Sequence, residues 1–407
     1  MTGAPENIVI IGSGHAAIEL AAALRQHGHA GAVTVIGAEP ALPYQRPPLS
    51  KEFLKSSADT GLPLKGEAFF PAQRIELLLG AGAEAIDRAQ RRVTLADGRV
   101  LAYDHLALAT GARNRVPPVP GLDPDRALAL RTLSDARALH TRLSELGKVA
   151  VIGGGFIGLE VAALLRGRGV AVEVIEAAPV LMGRVLSRPM SAWFRAFHDR
   201  LGTRLHLETL VERVEHRPRS TRLHLSSGEV LDADAVLVAA GIVPNVELAV
   251  AAGLAVADGI VVDERLSTAD PAVSALGDCA AYPNAFCGRV TRLESVQNAV
   301  DQARTLALRL AGGGDEPYRG LPWFWSNQAT ARLQIAGLGE GHDETVLRGD
   351  PESGKFSIFL YRGGRLVAVE SVNSPADHMA SRRLIAAAAS VPPEVARDLT
   401  VHLKELL

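Results

Sequence analysis

The hydrophobic positions of this chain form short unbroken runs that alternate with longer helical stripes. Residues 8–11 (IVII) are four apolar positions in a row, the length and composition of a buried strand. The chain then turns through Gly12-Ser13-Gly14-His15-Ala16-Ala17 into a helical stripe over 17–26, and a second apolar run follows at 33–36. From 84 to 103 the pattern changes to a small antiparallel excursion. Residues 92–95 and 100–103 read as strands around an Asp97-Gly98 hairpin turn. Another buried run at 105–109 ends in Thr110-Gly111, and the Pro-rich stretch 116–121 has the composition of a linker.

The same order then recurs. An apolar run at 149–152 meets Gly153-Gly154-Gly155-Phe156-Ile157-Gly158, an Ala/Leu-rich helix follows, and the run 172–175 ends on Glu176. A second excursion (223–225, Ser227-Gly228, 230–231) leads to a strand at 235–239 and to Ala240-Gly241. This internal repeat is the main organisational signal in the sequence. Each copy has the strand–turn–helix–strand context of a dinucleotide site. The glycines permit a tight turn and close approach to a pyrophosphate, and the helix N-terminus offers N–H groups and positive potential to that anion. The second copy is the full G-x-G-x-x-G with its acid, Glu176, directly after the strand. The first is the G-x-G-x-x-A variant, its strand ends on Gly37, and its nearest acid is Glu39. His15 either touches a ligand or simply begins the helix at solvent. Two dinucleotide folds imply two dinucleotides, one held and one exchanged. A flavin with a nicotinamide is the natural pair, because a flavin takes a hydride and can release single electrons.

Between the first unit and its excursion lies 42–51 (LPYQRPPLSK), an irregular, stiff segment. Its two cations, Arg46 and Lys51, either complete an anion site or face solvent in a surface loop. Further on, 273–280 (VSALGDCA) reads as a strand running into Gly-Asp. Glu294 opens a segment leading into a helix over 299–310, and 312–315 (GGGD) marks a boundary. The remainder, 316–407, reads as an antiparallel sheet with helices: strands at 332–336, 356–361 and 366–372, a Gly363-Gly364 turn, and a helix over 379–389. It also holds Pro322-Trp323-Phe324-Trp325-Ser326-Asn327-Gln328. With aromatics at only 4% of the chain, these tryptophans read equally as core and as cofactor contacts.

Composition narrows the function. A net charge of −2 gives no sign of a nucleic-acid binder or a polybasic membrane surface. No apolar run approaches the ~20 residues of a membrane span, so a cytoplasmic, soluble protein is expected. The two cysteines, Cys279 and Cys287, form neither a C-x-x-C pair nor a metal-ligand pattern, and no metal is expected.

With GSGHAA, PYQRPPLSK, ATGAR (109–113), LRTLSDA (130–136), VIGGGFIGLEVAA, ALGDCA (275–280), RLESVQNA (292–299) and PWFWSNQ assembled, the chain resembles the FAD-dependent NADH:ferredoxin reductases of oxygenase systems. That group includes putidaredoxin reductase, rubredoxin reductase and the reductases of aromatic-ring dioxygenases. The resemblance runs nearly end to end. It implies an α/β fold with two Rossmann-like dinucleotide-binding domains in the glutathione-reductase-like layout, plus a C-terminal α+β domain. The FAD-binding domain is then 1–116 with 243–315, the NADH-binding domain 117–242, and the C-terminal domain 316–407.

By the same resemblance Gly12, Gly14 and Ala16 hold the FAD pyrophosphate, with His15 beside them. Glu39 recognises the adenosine ribose, since Ala38 stands where some members have Asp. Arg46 and Lys51 are FAD contacts, and Ala83 meets the adenine end through its backbone. Thr110, Gly111 and Arg131 line the site, Asp278 binds the ribityl or phosphate portion, Val296 meets the ring region, and Trp325 lies near the isoalloxazine. Gly153, Gly155, Phe156, Ile157, Glu176, Arg184 and Gly241 are the NADH contacts. Catalysis falls to Lys51, to Glu160 as the acid that pairs with it, and to Trp325. Two departures stand out: Ala17 at the third fingerprint position, and Asn327 where the family often has Asp.

Glu176 argues for NADH, because a carboxylate accepts ribose hydroxyls and repels a 2′-phosphate. The implied acceptor is an acidic two-iron ferredoxin, so a basic patch is expected, with Arg304 and Arg309 as its candidates. A monomer is expected. Two alternatives stay open: an NADH-sensing flavoprotein of the apoptosis-inducing-factor type, and an NADH reductase with another acceptor. A disulfide reductase needs a dithiol that the sequence lacks.

Overall fold

A computed structural model describes residues 5–56 and 62–407. They fall into two compact units. One holds the described residues of Met1–Gln45, Thr60–Arg113 and Val243–Pro322; the other holds those of Arg46–Asp59, Asn114–Ile242 and Trp323–Leu407.

The first unit is built on a five-stranded parallel sheet. Its order is Val273–Ala275, His105–Leu108, Asn7–Ile11, Ala32–Gly37, Ile75–Leu79. Asn7–Ile11 is the central strand of the five, so Ile8 and Ile10 are 0% exposed and Val9 1%, and no alternation survives in its sequence. The helix His15–Gln26 follows with eight of its twelve residues buried, and it packs beside the helix Val296–Leu310. The small residues that allow this close contact are Ala17, Ala21, Ala299, Ala303 and Ala307, all of them buried. The excursion is a three-stranded antiparallel sheet of Ala83–Asp87, Arg92–Leu95 and Val100–Ala102.

The second unit repeats the plan and adds to it. Its parallel sheet runs Arg204–His206, Ala171–Ile175, Lys148–Ile152, Ala235–Val238. The excursion is again three-stranded, Val211–His216, Thr221–Leu225 and Val230–Ala233. A five-stranded antiparallel sheet forms the C-terminal part, in the order Trp323–Gln328, Ala331–Gly337, Arg365–Val372, Lys355–Arg362, Glu344–Asp350. The helices Phe156–Gly167 and Arg188–Arg200 both pack on this sheet. Phe156 meets Phe324 at 4.6 Å between ring centroids, and Trp193 meets Phe356 at 5.3 Å. Trp193 also donates its indole N–H to the Pro351 carbonyl at 2.9 Å.

Several expectations are corrected. The 42–51 segment is not irregular throughout: Pro47–Ser50 is a 3₁₀ turn that passes into the helix Glu52–Ser56. Proline at the first positions of a helical turn supplies the right φ and lacks only an N–H that would have no partner there. The helix placed over 299–310 begins earlier, at Val296, because Ser295 caps it by accepting from the Asn298 N–H at 3.1 Å. The helix placed over 379–389 is Pro375–Ala386, and the tryptophan segment is itself a strand. Leu133–Arg142 and Arg188–Arg200 are helices that polar spacing hid.

Candidate functional site

The two glycine-rich turns have nearly the same backbone. Gly12 and Gly153 take φ of +118° and +110°, a region open to glycine and costly for other residues. A Cβ at Gly12 would stand 2.1 Å from the Ala109 carbonyl oxygen, and one at Gly153 2.4 Å from that of Ala239. Gly14 and Gly155 are the N-caps of the following helices. Neither helix start has a side-chain cap or an acid in its first turn, and a Cβ at either glycine would meet nothing within 4 Å. Each turn therefore opens a helix N-terminus to the outside, at the place where a pyrophosphate is held. A dinucleotide fits both.

The second turn is braced by its acid. Glu176 accepts from the Gly154 N–H through Oε2 and from the Ala178 N–H through Oε1, each at 2.7 Å. Each oxygen keeps a further acceptor site for a ribose hydroxyl. In the first unit Glu39 instead accepts from the Tyr44 hydroxyl at 2.6 Å. Phe156 is half-buried and Ile157 is 43% exposed at the start of the second helix; Arg184 is exposed, and Gly241 has φ +93°.

The remaining residues are distributed as follows. Ala16, His15, Ala83, Thr110, Gly111, Asp278 and Val296 belong to the first unit, with Gly12, Gly14 and Glu39; Arg46, Lys51, Arg131, Glu160 and Trp325 belong to the second. In the first unit the Thr110 hydroxyl donates to the Asn245 carbonyl at 2.6 Å, and Gly111 has φ +65°. Cys279, buried beside Asp278, has its thiol pushed up by burial, and both cysteines are free.

Within the second unit the structure brings Lys51 and Glu160 together, 109 residues apart in sequence. Lys51 Nζ lies 2.8 Å from Glu160 Oε2. The Ser50 hydroxyl donates to the same oxygen at 2.5 Å. The Ser326 hydroxyl and the Asn327 N–H donate to Oε1 at 2.7 and 3.1 Å. Glu160 is thus a buried carboxylate with four donors, which is how such a group stays charged out of water. The segment carrying Lys51 is held from its other end by Arg168, which donates to the Leu54 carbonyl. Arg46 donates to the Arg131 carbonyl at 2.5 Å, and the Asp135 carboxylate accepts from the Arg131 N–H at 2.9 Å.

The strand Trp323–Gln328 has two chemically distinct faces. Phe324, Ser326 and Gln328 point to the helices, while Trp323 and Trp325 lie on the other face, half-buried, with centroids 5.4 Å apart. Arg382 covers Trp323 at 4.3 Å. Ser50, Ser326 and Gln328 escaped the sequence reading, since a lone serine or glutamine carries no signal of what it will face.

The basic patch is corrected too. Arg304 is 61% exposed but paired with Glu19 at 2.6 Å. Arg309 is turned inward, donating to the Ser274 hydroxyl at 3.0 Å, and burial lowers its pKa.

Residues 6–303 match the model of the pyridine nucleotide-disulphide oxidoreductase family, and 323–407 match the reductase C-terminal domain. The chain belongs to this oxidoreductase family. It is 49% identical over 400 residues to rhodocoxin reductase of Rhodococcus erythropolis, covering 98% of this chain and 93% of that protein. Among solved structures it is similar to the ferredoxin reductase for the CYP199A2 system of Rhodopseudomonas palustris. That likeness has TM-score 0.96 and 44% identity over 98% of this chain and 99% of the other. It is also similar to the reductase in the covalent putidaredoxin reductase–putidaredoxin complex, with TM-score 0.94 and 38% identity over 99% and 98%. Members of the family use FAD and NAD(P)H, in keeping with two open glycine-rich turns. Among the described residues no helix is long and apolar enough to cross a membrane.

Proposed function

We propose that this protein is a cytoplasmic flavoprotein reductase that passes electrons from NADH through FAD to an acidic two-iron ferredoxin serving an oxygenase. The observation that carries the reading is the end-to-end likeness to ferredoxin reductases, laid over two glycine-rich turns that each fit a dinucleotide. When bound, FAD supplies the conversion between a two-electron donor and a one-electron acceptor.

The chain's own residues bind, orient and balance charge. Gly12, Gly14, His15 and Ala16 hold the FAD pyrophosphate, Glu39 the adenosine ribose, and Ala83 the adenine. Arg46, Thr110, Gly111, Arg131, Asp278, Val296 and Trp325 complete the FAD contacts. Gly153, Gly155, Phe156, Ile157, Arg184 and Gly241 receive NADH, and Glu176 selects it over NADPH through its carboxylate. Lys51 supplies a fixed positive charge that favours the reduced flavin. Glu160 holds the Lys51 ammonium in one place, and Ser50 and Ser326 hold Glu160. Placement and electrostatics suffice here; no nucleophile or metal is called for.

The protein works as a monomer with the ferredoxin docking transiently. The test is steady-state turnover of a purified two-iron ferredoxin with NADH across a salt series. Rapid reduction that slows steeply with salt is expected. Efficient reduction of low-molecular-weight acceptors with none of any ferredoxin would refute the choice of partner. Equal kcat/KM for NADH and NADPH would refute the choice of nucleotide.

A further inference from the structure

A line of buried polar side chains runs through the second unit and ends on Glu160. Ser326, Gln328 and His198 are 0% exposed, Thr203 3% and Glu160 4%. Ser326 Oγ is 2.7 Å from Glu160 Oε1, and Gln328 Nε2 is 3.2 Å from Ser326 Oγ. Gln328 Oε1 is 2.8 Å from His198 Nε2, and His198 Nδ1 is 3.4 Å from Thr203 Oγ1. Three elements contribute: the strand Trp323–Gln328, the helix Arg188–Arg200, and the turn after it. The proposed electron-transfer role gives no task to Gln328, His198 or Thr203.

The direction of every bond in this line is decided by its ends. Glu160 is paired with Lys51, and an ionised carboxylate only accepts, so the Ser326 hydroxyl must donate to it. Ser326 Oγ then needs a donor from Gln328, which requires the amide nitrogen on that side. A second contact demands the same orientation independently. Met182 Sδ lies 3.6 Å from Gln328 Nε2, and a thioether accepts but cannot donate. Flipping the amide would set its oxygen against both Ser326 and Met182. With the amide fixed, its oxygen faces His198 Nε2, which must carry a proton. Nδ1 is then left to accept from the Thr203 hydroxyl. Burial lowers the His198 pKa, with Gln328 and Asp199 opposing the shift, so the neutral ring with its proton on Nε2 is the form that fits.

We propose that Gln328 and His198 are positioning residues for the Lys51–Glu160 pair. They form the far part of a one-way hydrogen-bond chain, Thr203 to His198 to Gln328 to Ser326, whose donors all point toward the Glu160 carboxylate. Such a chain is cooperative, because each bond polarises the next. It holds Ser326 in the one rotamer that donates to Oε1, leaving Oε2 for Lys51 and Ser50. Met182 ties this arrangement to the glycine-rich turn, since its N–H donates to the Gly154 carbonyl at 3.0 Å and its φ is +52°, rare for a non-glycine residue. The proposal rests on the reading of Lys51 and Glu160 as serving the flavin.

Two measurements on the holoenzyme test it. The first is nitrogen-15 NMR of protein labelled at histidine, with the His198 signals identified by their absence in His198→Gln. Wild-type His198 is expected neutral and protonated at Nε2 from pH 6 to 8. A ring protonated at Nδ1, or charged through that range, overturns the direction of the chain. The second is stopped-flow reduction by saturating NADH. Ser326→Ala and Gln328→Met should each slow it about three- to tenfold, with NADH affinity within about twofold of wild type. The double variant should be no slower than the slower single, because both substitutions cut one chain. Multiplying effects, or unchanged single-variant rates, overturn the positioning role. If Lys51→Ala leaves reduction unchanged, the reading of the pair itself has failed, and the NMR result still decides the chain's direction without reference to rate.

Discussion

The two glycine-rich turns share one design but divide space inside it in opposite ways. Ile11 pairs with Ile36, and Ile152 with Ile175, so Gly37, the last residue of its strand, and Glu176, the first past its own, occupy the same register position. Facing them are Ser13 and Gly154. In the first turn the second-strand residue is the glycine: a Cβ at Gly37 would stand 2.7 Å from Ser13 Oγ. In the second turn the loop residue is the glycine: a Cβ at Gly154 would stand 2.7 Å from a Leu181 methyl and 3.2 Å from Glu176 Oε2. Each turn has room for one side chain at this spot. The central turn gives that room to a carboxylate, which braces the loop from within through the Gly154 and Ala178 N–H groups. The N-terminal turn gives it to a hydroxymethyl group, and its acid moves out to Glu39, beside Tyr44. The lesson is that an acid after the second strand goes with a glycine opposite it; the two positions form a unit.

A further contrast lies at the third fingerprint position. Gly158 has the Gly153 carbonyl oxygen 2.3 Å from where its Cβ would be, whereas Ala17 carries a real Cβ there and is fully buried. The alanine-rich face of the first helix meets the helix Val296–Leu310.

The largest expected effect separates the two turns outright. Gly12→Val should abolish FAD retention, so the protein purifies without its visible absorbance; Gly153→Val should keep FAD but raise the KM for NADH by about 100-fold or more. Both follow from a β-branched residue forced to positive φ against backbone. Visible spectra and NADH titrations decide, and FAD loss from Gly153→Val would erase the assignment of one nucleotide to each turn. Next, Lys51→Ala should slow reduction by NADH about 100-fold with FAD still bound, the size of effect found when one preorganised donor is removed. Rapid mixing with NADH measures it directly. Glu176→Ala should lower kcat/KM for NADH about tenfold while leaving that for NADPH within about threefold, as expected for loss of a charged acceptor. The paired change Ser13→Gly with Gly37→Glu should let the first turn accept a carboxylate and stay folded. Gly37→Glu alone should lower Tm by several degrees, about 1–3 kcal/mol of overpacking. The smallest effect is Ala17→Gly, about 0.5–1 kcal/mol less stable in chemical denaturation because glycine is poor in a helix interior.

Much of this was legible beforehand because it depends on local pattern. The runs 8–11 and 149–152 are strands buried on both faces, so hydrophobicity alone marked them, and the glycine spacing named the turns. The hairpins of the excursions were equally plain, since Asp97-Gly98 and Ser227-Gly228 are turn signals between alternating strands; the third strand of each, Ala83–Asp87 and Val211–His216, carried no such signal. The helix Arg188–Arg200 was not: Pro189 and three arginines within 13 residues mask a stripe of Met190, Phe194 and Phe197. Arg309 looked like a surface cation, because nothing local tells which face of a helix will be covered.

By itself the sequence determined that there are two nucleotide turns, in which order they come, and that only the second has an acid directly after its strand. These follow from residue type and spacing, which act over a few bonds. The tertiary structure decided who faces whom. Ser13 against Gly37, Gly154 against Glu176, and Lys51, Ser50 and Ser326 around Glu160 are meetings across tens to hundreds of residues. They are set by sheet register and helix packing, and a buried carboxylate is stable only where those elements converge enough donors on it.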